Sequence, residues 1–475
     1  MAQANNPCPP PAFGVDGGNS SDNETDCGAV LIAPSNGDDE YGIQSENYTR
    51  IPASFSSSER VTNVSQLSAA LSRARPGGVV WVADGTYNLT SHNEEWFYWN
   101  SSNSGTASNK VYLLAENKGR VTFQGGGRIA LRANHIVVAG IAFNIETRLF
   151  GDNIRFAHNK VFGATPRRFH VGIYGDDAEI DNTEFTQITG HAMWMAQGHS
   201  NGPGTIKRPH VHHNEWRDIP VPSRGESTNI MLGYSLAPLP AGYDDNVEAL
   251  IENNIFERAQ GDWEVISVKS SRNVIRNNCF IANGKSFIEI RMGNENIVTG
   301  NKFGNIDNSG FHISGHRNVF AFNYFARDTP GQYAMELHSR GQYAAPAEVP
   351  SWAVWRFNSA DDNVISSNVF ENFASIFRIY SPSATFLDSP SGNFIQSNDF
   401  KLSALNYYQD SSARLSYSQF QATNNFANNS IRTANSARMG SCASVPSHQA
   451  GSSPVSVNGN YNGIAGGKIN PPSWW

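Results

Sequence analysis

Between about residues 250 and 400 the chain alternates apolar and polar residues in short runs, and one pattern recurs. Asn273-Val-Ile-Arg-Asn-Asn278-Cys-Phe280 is followed by Asn296-Ile-Val-Thr-Gly-Asn301-Lys-Phe303 and by Asn318-Val-Phe-Ala-Phe-Asn323-Tyr-Phe325. Asn363-Val-Ile-Ser-Ser-Asn368-Val-Phe370 and Asn393-Phe-Ile-Gln-Ser-Asn398-Asp-Phe400 complete the series. The second Asn of the unit stands at 254, 278, 301, 323, 368 and 398, in steps of 24, 23, 22, 45 and 30 residues, and the step of 45 reads as two coils. Weaker copies lie upstream at Asn214-Glu-Trp216 and Asn182-Thr-Glu-Phe185. A short repeat with period-two alternation and no helical period predicts stacked coils of short strands, a parallel β-helix. Asn tolerates the left-handed backbone of a corner and its side chain can bond along a stack, so each Asn is expected at a corner and in a ladder. Each Phe is expected to point into the lumen and stack on the Phe of the next coil. These residues are scaffold.

The pattern changes upstream. Val64, Leu67, Ala70 and Leu71 have helical spacing and predict a short amphipathic helix capping the open end of the solenoid. Gly77-Gly-Val-Val-Trp-Val-Ala-Asp-Gly-Thr-Tyr87 then begins the coils, and alternation continues through Lys110–Leu114, Ile136–Phe143 and Val171–Tyr174. Segments around 95–108, 220–245 and 340–360 break the alternation and predict projecting loops, which in a β-helix wall a cleft. The expected organisation is an N-terminal arm over 1–55, a β-helix over 56–430 and a small-residue, polar tail over 431–475.

Composition adds bounds. The 475 residues carry 35 Lys and Arg against 42 Asp and Glu, a net charge of −7, which argues against a nucleic-acid partner. No run of 18 apolar residues occurs, so no membrane span is expected. The start, Met1-Ala2-Gln3-Ala4, lacks the basic and apolar regions of a signal peptide. Seven Asn-X-Ser/Thr sequons, at Asn19, Asn23, Asn47, Asn63, Asn88, Asn100 and Asn428, nevertheless favour a secreted glycoprotein whose signal has been removed. Of four cysteines, Cys8 and Cys27 fall in the Pro/Gly-rich arm, where a bridge between them would staple a segment with little core. Cys279 sits inside a repeat and is expected as a buried small residue, and Cys442 as a free thiol in the tail. Their spacing suggests no zinc site.

One stretch is not explained by the scaffold: Asp262-Trp263-Glu264-Val265-Ile266-Ser267-Val268-Lys269-Ser270-Ser271, with Arg291 following in Glu289-Ile290-Arg291-Met292-Gly293. On a straight strand Asp262 and Glu264 would face away from Lys269. A bend or bulge near Ile266 would bring acids and lysine to one side, and bulges cluster at active sites.

Glu264-Val-Ile-Ser-Val-Lys269-Ser-Ser-Arg-Asn273-Val resembles the signature of polysaccharide lyase family six, which includes alginate lyases and chondroitinase B. Val80-Trp-Val-Ala-Asp-Gly-Thr-Tyr87, Ile136-Val-Val-Ala-Gly-Ile-Ala-Phe143 and Gly310-Phe-His-Ile313 resemble further coils of that family, over roughly residues 60–400. The resemblance implies an all-β, right-handed parallel β-helix and a lyase acting on a uronic-acid polymer. It places the Brønsted base at Lys269 and the catalytic arginine at Arg291. Two calcium-binding carboxylates fall at Asp262 and Glu264. The family's third ligand, an Asn, meets Gly225 here, and Met231 replaces a strand Arg, so Asn229 or Glu226 would have to substitute. Calcium is thus an open expectation; no organic cofactor is implied.

The residue types suit the chemistry. A uronate lyase removes the C5 proton and expels the O4-linked sugar, so the neighbouring carboxylate must be neutralised and the developing enediolate stabilised. A lysine can take the proton once neighbouring cations and partial burial lower its pKa. Arginine, always protonated, suits carboxylate neutralisation and can also assist the leaving oxygen. Further substrate contacts are expected at Arg272, His312, Trp263, His338, Arg340 and Tyr343. His210, His212 and His213 fit alternating exposure better than a metal cluster. Two rival classes remain, a β-helix glycoside hydrolase of acidic polysaccharide and a non-catalytic carbohydrate-binding solenoid. The Asp pairs at 176–177, 244–245 and 361–362 lack the settings such hydrolases use. The absence of a dense basic stripe leans toward alginate over heavily sulfated chains. The expected partner is therefore an anionic polysaccharide, met by a monomeric enzyme.

Overall fold

The computed structural model describes residues 52 and 54–433, apart from 90–95, 196–205, 221–227, 234–245, 261–263, 285–287, 307–309, 339, 343–355, 358, 381–385, 389 and 411–416. Asp262, Trp263, Glu226, Tyr343, Cys8, Cys27 and Cys442 lie outside the described residues, as do most of the expected arm and tail.

The chain is a parallel β-helix. Its first face is a sheet of 14 strands that begins with Ser57–Val61 and Gly78–Val82 and ends with Phe394–Gln396 and Asn425–Ala427. A second face carries strands such as Ile255–Ala259, Cys279–Gly284 and Lys302–Ile306. The third carries Ile230–Gly233, Ile266–Lys269, Ile288–Ile290 and Phe311–Ile313. Longer strands, Glu184–Met195, Tyr324–His338 and Val369–Tyr380 among them, run along both the second and third faces, with a register shift in the Tyr324–His338 and Val369–Tyr380 pairing. Among the described residues no helix is long and apolar enough to cross a membrane.

The lumen follows the repeat. Phe185, Trp216, Phe256, Phe280, Phe303, Phe325, Phe370 and Phe400 form one column, each ring stacked on the next at 4.2–5.3 Å between centroids. Each such contact adds about 0.5–1.5 kcal/mol beyond the area it buries. Two asparagine ladders flank it. One runs Asn254, Asn278, Asn301, Asn323, Asn368, Asn398, Asn429, and each side-chain amide donates to the next Oδ1 at 2.9–3.0 Å. The other runs Asn273, Asn296, Asn318, Asn363, Asn393, Asn424.

Two details differ from expectation. The left-handed corner residue is the one before each ladder Asn: Asn277 (φ 54°), Gly300 (65°), Phe322 (57°), Ser367 (56°) and Ser397 (55°). The ladder Asn must aim its amide into the stack, so the preceding residue makes the turn, and its N–H is held by the next coil, as Asn277 N is by the Thr299 carbonyl at 3.1 Å. The 45-residue step is one coil and not two. Asn323 bonds Asn368 directly, and Tyr324 lies in register with Val369. The insertion leaves the third face after His338, forms Arg340–Gln342 and Arg356–Phe357, and rejoins the first face at Val364–Ser366, while Phe386–Asp388 of the next coil completes a small antiparallel sheet with them. Ladder and aromatic column fix the return register whatever the loop length.

The capping helix is Val64–Arg73, started by the Asn63 side chain accepting from Gln66 N–H, with Leu67, Ala70 and Leu71 buried. The segment 95–108 is only partly loop, since Trp96–Trp99 joins the third face and Trp99 is fully buried. Cys279 is buried on the outside of the second face, but it is disulfide-bonded. Its partner lies outside the described residues. With four cysteines in the chain, a Cys8–Cys27 bridge can therefore coexist only with a Cys279–Cys442 bridge.

Burial also sets acid stability. It lowers both His158 and His170 from 6.5 to about 4. The unfolded chain takes up these two protons below pH 6.5, while the folded chain refuses them until about pH 4, so stability falls as pH drops through that window. The expected slope is up to about 2.7 kcal/mol per pH unit. Denaturant midpoints measured between pH 7 and 4.5 check this, and His170→Phe should reduce the slope.

Candidate active site

On the third face, hydrogen-bonded neighbours on successive coils form a row: Trp194, Met231, Ser267, Glu289, His312, Glu336, Arg378. Two residues on in their strands stand Gly233, Lys269 and His338, with Arg291 following Ile290 at the same offset. Each coil thus offers outward, inward, outward: Ser267-Val-Lys269, Glu289-Ile-Arg291, Glu336-Leu-His338. The middle residues Val268, Ile290 and Leu337 are buried in the core, which locks the strand and fixes where their neighbours point.

The expected bend is present. Val265 and Ile266, consecutive residues, are both fully buried in the core, so alternation breaks between them. Glu264 is thereby brought to the side of Ser267 and Lys269, and it is 7% exposed. The close return after Arg291 depends on Gly293, where a Cβ would stand 1.9 Å from the Ser270 carbonyl oxygen.

Glu289 is the electrostatic centre. Burial, then the charge of Glu264, pushes its carboxyl up to about 7, against the opposing pull of Arg291, His338 and Lys269. Four side chains from neighbouring coils thus act on this one carboxyl. Lys269 is half-buried and its Nζ stands 3.5 Å from Met231 Sδ. Further along, Glu336 lies 3.4 Å from His312 Nδ1, 3.1 Å from His338 Nε2 and 3.0 Å from Arg378. Arg378 also donates to the Tyr333 hydroxyl at 2.6 Å. Burial alone would raise Glu336, but His312, His338 and Tyr333 outweigh it and hold the carboxyl well below the usual range. Burial lowers His312 to about 4 and so keeps its ring neutral. On the other side of Lys269 the surface turns apolar, with Phe169, Tyr174, Trp194 and Met231 in one cluster and the Arg148 guanidinium 5.1 and 5.5 Å above the rings of Phe169 and Tyr174. Trp194 is buried and gives its N–H to the Gly233 carbonyl, so it packs.

Lys269, Arg291, Glu264, His312 and His338 are thus brought together. Arg272 is not. It turns the corner at φ 61° and ion-pairs with Glu295 at 3.0 Å, which also holds Arg317. Arg340 lies in the small antiparallel sheet. Asn229 is 1% exposed and its amide donates to the Ala259 carbonyl. Among the described residues, Glu264 belongs to no group of three or more His, Cys, Asp or Glu side chains whose ligand atoms converge. Asp262 and Glu226, the other carboxylates the resemblance offers, lie outside the described residues. Glu289, Glu336 and Arg378 were not anticipated. The signal was present, because each stands two residues from another polar side chain across an aliphatic one, once per coil.

A β-helix with a charged row along one face, apolar at one end and rich in carboxylates, imidazoles and guanidinium groups at the other, has the form of a solenoid that handles an acidic polymer. The model of the chondroitinase B family matches residues 61–159 and 165–386. The chain belongs to this family, whose members are polysaccharide lyases. Solved structures agree in fold. A family 6 polysaccharide lyase from Pseudopedobacter saltans is 19% identical, with a TM-score of 0.63 over 81% of this chain and 94% of that one. A mannuronic-acid-specific family 6 lyase from the human gut microbiota is 16% identical, with a TM-score of 0.59 over 78% and 91%. A family 6 alginate lyase in complex with a trisaccharide is 15% identical, with a TM-score of 0.57 over 79% and 86%. No curated protein matches the sequence.

Proposed function

We propose that the chain cleaves a uronic-acid polymer, alginate before others, by β-elimination at Lys269 and Arg291. The observation that carries this is their shared surroundings: both charges act on the same buried carboxyl, Glu289, from adjacent coils of one face. In this mechanism Lys269 takes the C5 proton, the C4–O4 bond breaks as the C4=C5 bond forms, and the departing oxygen takes up a proton with the assistance of Arg291. The thioether of Met231 stands beside Lys269, 3.5 Å from Nζ. Arg291 neutralises the uronate carboxylate, which makes the C5 proton removable and offsets the charge of the enediolate. Burial and Glu264 raise the Glu289 carboxyl toward neutrality, which lessens its repulsion of that carboxylate. His338 and Arg378, both within ion-pair distance of Glu336, supply further positive or donor groups toward the next sugar.

Alginate is favoured because the cleft mixes cations with an equal show of carboxylates, which suits one charge per sugar better than dense sulfation. The relatives solved with a trisaccharide or named for mannuronic acid support the same substrate class. A screen of uronate polymers followed by ultraviolet absorbance tests the proposal, since β-elimination leaves a C4=C5 double bond and hydrolysis does not. New reducing ends without that absorbance would point to a hydrolase, and neither signal to a binding solenoid.

Secretion belongs to the same proposal. The sequon residues Asn63, Asn88, Asn100 and Asn428 are all exposed, which leaves them open to glycosylation. A mass loss on enzymatic deglycosylation of the protein from its native source is the expected result.

A further inference from the structure

We propose that Glu289, His312 and His338 form a binding site for one divalent transition-metal ion, of zinc-like chemistry, on the floor of the cleft. This site is separate from the calcium ligands implied at Asp262 and Glu264, and it stands whether or not the chain is a lyase.

Geometry carries the proposal. One ligand atom from each of the three side chains lies within 4.8 Å of the other two, and all three residues are buried. Bonds of about 2.0–2.1 Å in a tetrahedral shell put ligand atoms roughly 3.3 Å apart, so closing the site takes side-chain shifts under an ångström each. The backbone is already fixed: Glu289 and His312 are paired neighbours on adjacent coils, and His338 stands on the next coil, two residues after Glu336. Two imidazoles and a carboxylate with a fourth position toward the cleft is the donor set of an open zinc site, and a poor one for calcium, which takes six to eight oxygens.

The surroundings fit as well. Glu336 contacts His312 through Nδ1 and His338 through Nε2, on one side of each ring. A carboxylate in that place orients metal-binding imidazoles and raises their basicity. The ring nitrogens on the opposite sides are His312 Nε2 and His338 Nδ1. A second convergent group, Glu179, Asp181 and His212, is the weaker candidate, since Arg155 already holds both Asp181 oxygens at 2.6 and 2.9 Å.

The test is a titration of the full chain, stripped of metal, with cobalt(II). Expected are a visible ligand-field band of four- or five-coordinate cobalt, saturation at one ion per chain, displacement by zinc and none by calcium. Glu289→Gln keeps the shape of the side chain and removes the anionic ligand, so it should weaken binding by about 100-fold while the melting temperature holds. His312→Gln should do the same, and should it fail to fold, Glu289→Gln decides alone. Absence of the band, displacement by calcium, or a band unchanged in Glu289→Gln would overturn the proposal. A chain that forms unsaturated sugar but binds no cobalt would lose this site and keep its lyase assignment, and the reverse result would do the opposite.

Discussion

Lys269→Ala is expected to lower the rate of unsaturated-product formation by about 10²–10⁴-fold, the span that a positioned proton-transfer group contributes. The loss should appear in kcat more than in KM, because the base acts on the C5 proton and Arg291, His338 and Arg378 remain to bind the polymer. The fold should survive. Lys269 ends its strand on the outer surface, and the inward residues Ile266 and Val268, fully buried, are untouched. Lys269→Arg is the sharper variant, since it keeps the charge beside Glu289 and replaces the amine with a guanidinium that stays protonated. Rates measured by ultraviolet absorbance, with far-ultraviolet circular dichroism and melting temperature alongside, decide the matter. Near-wild-type turnover by Lys269→Ala would sink the assignment of the base.

The second large effect lies in the scaffold. Asn301→Ala should destabilise the protein by about 3–5 kcal/mol, because it orphans several buried groups at once. Asn301 is fully buried, and its Oδ1 accepts from Asn278 N at 3.0 Å and Asn278 Nδ2 at 2.9 Å. Its amide donates to the Ile275 carbonyl at 2.9 Å, the Thr299 carbonyl at 3.1 Å and Asn323 Oδ1 at 3.0 Å. Alanine satisfies none of these, and both Asn301 and Asn278 are buried. Denaturant unfolding measures the loss, and a shift below about 1 kcal/mol would show that the ladder is not a major source of stability. Asn429, at the end of the same ladder and half-buried, should cost less when replaced.

Much of this was legible in the sequence because the solenoid writes itself locally. Asn278 and Phe280 recur at the spacing of a coil, so the ladder and the aromatic column could be foreseen from them, and the helix Val64–Arg73 followed from four apolar residues. The coil count could not. Forty-five residues between Asn323 and Asn368 have the length of two coils, and only the direct hydrogen bond between them shows a single coil carrying an insertion. The placement of the left-handed residue also escaped, since Phe322 or Arg317 at positive φ runs against local preference and is held there by pairing to the next coil.

The site divides the same way. Spacing and family resemblance marked Lys269, Arg291, Glu264, His312 and His338, and the third face brings them together. Arg272, only three residues beyond Lys269, turns the corner and ion-pairs with Glu295 instead. Disulfide bonding at Cys279 was equally hidden, because a buried small residue and a bridged one look alike within a repeat.

By itself the sequence determined the β-helix, its inward stack and the strand that carries the lysine, because period-two alternation and a repeat near 23 residues leave few other ways to bury the apolar positions. The tertiary structure decided which side chains share the cleft. Glu289, Glu336 and Arg378 come from strands 47 and then 42 residues apart in the chain, and stacking alone sets them side by side. Their charges have meaning only at that distance and in that burial.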